Sequence, residues 1–159
     1  MTEEKINAPF FNFRCQQYRQ GRLIGESNGR NTVMTLGKNL LNDTLFRQGT
    51  GSSMYMGIMG TGTIGAPDTM ATHNWAETTA YSGTSRITLA AGAAVGGTST
   101  FTPGTYAMTG TYTANGAFVT TVVGAGGTTG TLYSAGTFAT IRTGGTGDTL
   151  VVTPTLVTS

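Results

Sequence analysis

Apolar and polar positions alternate in short runs along most of the chain, and one stretch departs from that rhythm. "FRCQQYRQGRLIGE" holds two such runs on either side of Arg19-Gln20-Gly21-Arg22, which predicts two strands around a tight turn. In "NTVMTLGKNLLNDTLFRQG" the period changes: Leu40, Leu41, Leu45 and Phe46 fall at helical spacings. Thr35 or Gly37 can start that helix, and Gly49 stops it after Arg47, a cation suited to a helix C-terminus, so about residues 36–47 are helical. "SMYMGIMG" returns to strand character with Met54, Met56 and Ile58 on one face. "NWAETTAY", "SRITLA", "GTYAMTGTYT", "GAFVTTVVG", "GTLYSAGTFATI" and "DTLVVTPTLVT" follow, divided by glycine pairs such as Gly126-Gly127 and Gly144-Gly145. Short strands at this spacing predict an all-β sandwich, with a jelly roll among its forms and one short α-helix. Pro154 inside the last strand predicts an edge or a bulge there.

"MTEEKINAPFFN" has no period and reads as an extended arm over residues 1–12, leaving residues 13–159 as a single β-sandwich domain. No strict repeat and no linker divides that domain.

Composition sharpens the picture. Only 10% of the residues are charged, where a soluble domain carries about 25%. Gly and Thr are abundant, as turns and pleated surfaces require. Charge is also unevenly placed. Residues 1–47 carry Lys5, Arg14, Arg19, Arg22, Arg30, Lys38 and Arg47 against Glu3, Glu4, Glu26 and Asp43, whereas Ile87 to Ile141 carry no charge at all. A long uncharged surface fits either contact with other protein or solvation by Ser and Thr hydroxyls. Covering neutral faces and open strand edges would favour a homo-oligomer, a dimer or trimer. Cys15 is alone, so no intrachain disulfide and no cysteine metal cluster is expected. The opening residues lack a signal-peptide pattern, and the longest apolar run, Leu89–Val95, is too short to span a bilayer. A net charge of +2 gives no ground for nucleic-acid binding, and no cofactor motif is present.

Candidate chemistry concentrates in "DTMATHNWAETTAYSGTSR", which holds His73 and Trp75, the chain's single His and single Trp. On a strand His73, Trp75 and Glu77 would share a face, and a His beside a carboxylate can act as a general base. Asp68, His73 and Glu77 are a conceivable metal set, without any recognised ligand spacing. No nucleophile stands in an identifiable elbow, so no catalytic residue and no metal site are assigned. The structural reading gives each residue a local task. Asp68 caps a turn through the N–H groups of Met70 or Ala71, Trp75 fills core, and Glu77 pairs with Arg86. "GTGTIG" at Gly60–Gly65 lacks the lysine and long helix of a phosphate loop and reads as a turn.

The order "F-x-C … GRLIGE … N-x-x-x-x-x-G-K-x-x-L … L-F", then "MYMGIMG … PDTMATHNWAE … YSGTSR", then "GTLYSAG … GDTLVV" resembles small structural proteins of tailed bacteriophages. Asn31–Phe46, Pro67–Arg86, Leu132–Gly136 and Gly147–Val151 carry the resemblance best. It implies a non-enzymatic head decoration or cement protein, made in the host cytoplasm and placed on the capsid surface of the virion. The major capsid protein would be its partner, with no nucleic acid or membrane involved. Phe10, Phe11, Arg14, Arg19 and Arg22 are the expected contact residues, set by an arm and a basic hairpin that meet an acidic surface. The alternative is a tail or fibre component that binds host carbohydrate through an exposed platform of Trp75, Tyr81 and Tyr133.

Overall fold

The computed structural model describes residues 10–46 and 52–157. The hairpin is formed by β1 (Phe10–Arg19) and β2 (Arg22–Val33), antiparallel to each other. Gln20 and Gly21 between them both take left-handed backbone conformations, φ 50° and 75°, as a two-residue turn needs to match strand twist. The helix α1 (Thr35–Phe46) follows directly. Its expected stop signals, Arg47 and Gly49, lie outside the described residues, as do the side chains of Leu45 and Phe46. At Gly37 the helix lies so close to the backbone of Tyr133 that a Cβ would collide with it.

The remaining strands are β3 (Tyr55–Thr63), β4 (Asn74–Thr78), β5 (Ile87–Thr88), β6 (Thr98–Thr100), β7 (Gly104–Ala107), β8 (Tyr112–Thr120), β9 (Leu132–Gly144) and β10 (Asp148–Val157). All ten strands belong to one antiparallel sheet whose main order is β4-β3-β8-β9-β2-β1-β10, with β7 and β6 on the far side of β10 and β5 beside β3. Beyond β4 the chain then meets the far end of β7. Ser82 N donates to Ala107 O at 2.8 Å, Thr109 N donates to Ala80 O at 2.9 Å, and Tyr81 and Met108 form a bridge. The protein is thus an all-β sandwich whose walls, β4-β3-β8-β9 and β2-β1-β10-β7, are joined at both sides. The pairs β1–β10, β2–β9 and β3–β8 nest as in a jelly roll, while β1–β2 and β8–β9 also pair and keep the sheet continuous.

Alternation fills the space between the walls. Phe11, Phe13 and Cys15 of β1 and Leu150 and Val152 of β10 face Met56 and Ile58 of β3 and Val119 of β8. The Tyr106 hydroxyl donates to Met56 O at 2.8 Å, which satisfies a buried phenol. A second, smaller core lies on the outside of the first wall. There Met34, Met59, Met70, Trp75, Phe118 and Leu132 pack together, with Ile64 and Val122 against them. Consequently β3 is buried on both faces over Met56–Gly60, which explains why "MYMGIMG" reads as a nearly continuous apolar run.

The structure bears on three expectations. Residues 1–9 of the expected arm lie outside the described residues, and Phe10–Asn12 are not arm but the first rungs of β1, opposite Val157–Thr155. Pro154 sits inside β10, at the break where its outer neighbour changes from β7 to β6, a place where no ladder donor is required. The open edges that would have favoured oligomerisation are largely removed, because the sheet closes on itself.

Candidate functional site

The charged stretch around His73 is built as a clamp. Glu77 projects from β4 and Arg86 lies just before β5. Arg86 Nε donates to Glu77 Oε1 at 2.9 Å and Nη2 to Oε2 at 2.7 Å, while its other N–H groups reach Val122 O at 2.9 Å and Gly127 O at 3.1 Å. Glu77 Oε2 also accepts from Gly126 N at 2.7 Å. The two side chains are 0% and 8% exposed, and the Phe118 ring lies 5.1 Å from the guanidinium carbon. This dry, closely bonded pair fastens the loop after β8 to β4. Both Glu77 carboxylate oxygens are taken up by these donors.

His73 lies half-buried with its ring stacked on Trp75 at 3.9 Å and its Nδ1 3.0 Å from Thr69 O, a carbonyl that can only accept. Asp68 Oδ2 accepts from Gly65 N at 3.0 Å, so it closes a turn backwards and does not cap Met70 or Ala71 as expected. The physical reason is that residues 70–72 form bends and no helical turn, leaving no helix N-terminus to cap. Trp75, Tyr81 and Tyr133 are only 6%, 5% and 5% exposed and are divided between the two cores. They do not form an exposed platform for sugar. Among the described residues no group of three or more His, Cys, Asp and Glu side chains comes together.

A second polar centre was not legible beforehand. Asp148, 2% exposed, accepts from Arg19 Nε at 2.7 Å and Nη2 at 3.0 Å, from Gln17 Nε2 at 3.2 Å and from the Tyr112 hydroxyl at 3.1 Å. The Arg19 bonds, aided by Gln17 and Tyr112, hold its carboxyl down at about 2 despite burial. Burial, and then the bond to Asp148, push the Tyr112 phenol up. Arg19, expected as a contact residue, therefore spends its guanidinium at the end of the β1–β10 pair. The stem of this assignment is strand register: Arg19 lies directly opposite Asp148.

The second wall presents a different surface. Its outward face, formed by β10, β1 and β2, carries two adjacent rows, Thr153–Arg14–Asn28 and Thr155–Asn12–Arg30. Between them is an open concavity of about 660 Å³, lined also by Phe13 and Gly29. Arg14 is drawn along the sheet by Glu26, with Nε–Oε1 at 3.0 Å and Nη2–Oε2 at 2.8 Å, and Gln16 Nε2 adds a bond at 3.2 Å. That pairing lowers the Glu26 carboxyl and raises the Arg14 guanidinium. Arg30 is drawn the other way, its guanidinium carbon 3.5 Å above the centre of the Phe10 ring. Arg22 is exposed beside the hairpin turn.

Of the expected contact residues, Phe10 and Arg14 belong to this face and Arg22 borders it. Phe11 does not. It is 4% exposed, stacked on Phe13 at 5.8 Å and edge-on to Tyr133 at 6.0 Å. Alternation along β1 forces the adjacent phenylalanines to opposite sides, so only one of them can face a partner. Asn12, Asn28, Arg30, Thr153 and Thr155 were missed, since only the pairing of β1 with both neighbours reveals that they meet.

No family model, curated protein or solved structure matches the chain. The site's meaning therefore rests on its own geometry.

Proposed function

We propose that this chain is a non-enzymatic structural protein of a tailed-bacteriophage virion, a head decoration or cement protein that grips the major capsid protein lattice. The observation that carries this reading is the asymmetry of the two walls. The outside of β4-β3-β8-β9 is covered by residues 64–73 and a small core, whereas a broad outward face of β10-β1-β2, lined with amides, hydroxyls and arginines, is left bare by the described residues. A broad polar face on a rigid closed sheet suits lasting attachment to another ordered surface. Its charge favours an acidic partner: among the described residues Arg14, Arg22 and Arg30 are answered on that side only by Glu26. The densest charges elsewhere, Glu77 with Arg86 and Asp148 with Arg19, are spent inside the fold. The tail or fibre reading needs an aromatic platform that is buried here.

In this reading the protein is made in the host cytoplasm and ends on the capsid surface, where copies sit side by side as dimers or trimers. Co-sedimentation of the full-length protein with empty capsids that lack it tests the idea. Saturable binding that heat-stabilises the capsid supports it, and binding to tails alone contradicts it. Analytical ultracentrifugation of the free protein tests self-association separately.

A further inference from the structure

The bare face contains one group that its surroundings have prepared and left unused. Arg14 is answered by Glu26, and Arg19 by Asp148. The Arg30 side chain makes no hydrogen bond or ion pair among the described residues, yet it does not hang free in solvent. Its guanidinium carbon sits over the Phe10 ring, 3.5 Å from the ring centre, a separation two planar groups reach only when they lie face to face. Stacking engages the face of a guanidinium and leaves its N–H donors, which lie in the plane, pointing outward around the rim. The rim borders the concavity, whose floor is Asn12, Asn28, Thr153 and Thr155. Those side chains supply neutral donors and acceptors beside the cation and no competing carboxylate.

We infer that Arg30, held flat by Phe10, is the receptor for an aspartate or glutamate side chain of the partner protein, which enters the concavity between Arg30 and Arg14. The inference rests on the bare face being the partner-binding face, as proposed above. A carboxylate matches the geometry because its two oxygens accept two parallel N–H bonds from one guanidinium edge. A protein partner is favoured over an acidic glycan because the ring that would stack on a sugar, Phe10, is already covered by Arg30. The neighbouring amides of Asn12 and Asn28 are suited to main-chain groups flanking the acidic side chain. The platform matters as much as the charge: without it, the long arginine side chain would have to be ordered at the moment of binding.

The test uses isotopically labelled full-length protein titrated with a capped hexaglutamate peptide, read at the arginine Nε–H signals. The Arg30 signal should shift saturably. Arg30→Gln should weaken binding about tenfold or more, as loss of a charge-assisted bidentate contact does. Phe10→Ala, which leaves every charge in place, should weaken it about threefold by releasing the guanidinium. Lys38→Gln removes the same charge from the exposed side of α1, off this face, and should change binding less than about twofold. Equal losses in the Lys38 and Arg30 variants would overturn the inference in favour of diffuse charge attraction. Absence of any hexaglutamate response, or a stronger response to a heparin oligosaccharide, would overturn it too. Capsid binding separates the two readings. Capsids that take wild type and Arg30→Gln alike refute the receptor role alone, whereas capsids that take neither refute the proposed function.

Discussion

Replacing Arg86 by leucine removes the cation from the clamp and leaves Glu77 with a buried, uncompensated charge. Glu77 would keep only the Gly126 N–H, and two carbonyls, Val122 O and Gly127 O, would lose their donor. Breaking one partner out of a buried pair costs about 3–5 kcal/mol. With about 2–4 °C of melting temperature per kcal/mol at this chain length, the midpoint should fall by roughly 6–20 °C. The double variant Glu77→Leu, Arg86→Leu should recover much of that, because no isolated charge remains. It should not recover all of it, since the loop carbonyls still lack donors, each worth about 1–3 kcal/mol when buried. Urea unfolding of wild type, both single variants and the double variant gives the coupling directly. Hydrogen exchange at the amides of Arg86 and Gly126 should show the loop after β8 opening first in the single variants, as Arg86 N also donates to Val123 O at 2.7 Å. Additive effects, with a coupling below about 0.5 kcal/mol, would refute the claim that the pair is one dry unit.

Other consequences follow from single groups. The Asp148 carboxyl is held at about 2, below its unfolded value near 3.9, so its contribution is fully present above about pH 5 and fades as pH falls toward 2. Because Arg19 is half exposed, that contribution is about 1–2 kcal/mol, and Asp148→Asn should flatten the acid limb of a stability–pH curve over this window. The buried Cys15 thiol, pushed up to about 12 by burial, should resist a thiol reagent in the native protein and react fully in urea. At Gly57 a Cβ would run into the Phe118 ring, so Gly57→Ala should destabilise by about 1–3 kcal/mol, with a compensating gain when Phe118→Leu is added.

Local features were the legible ones. The Arg19-Gln20-Gly21-Arg22 turn, the change of period near Thr35 and the "MYMGIMG" strand follow from neighbours in the chain, and each is present. Glu77 and Arg86 could be paired from sequence because they stand nine residues apart in a nearly uncharged region. Asp148 and Arg19, 129 residues apart, meet only through the register of the first strand against the last. Closure of the sheet was hidden for a similar reason: the segments holding Tyr81 and Met108 both read as strands, but nothing in the sequence says that they meet. Phe10 and Phe11 were grouped as contact residues by type, although strand alternation already separates them. The bare face needed two registers at once, β1 with β2 and β1 with β10, before Asn12 and Arg30 became neighbours of Thr155.

The central claim is that this closed β-sheet protein attaches to a capsid through the outward face of β10-β1-β2. Electron cryo-microscopy of virions with and without the protein tests it most directly. The account predicts added density on the head, docked with Asn12, Arg14, Asn28 and Arg30 toward the capsid and residues 64–73 away from it. Density confined to the tail, or head density attached through residues 64–73, would contradict it.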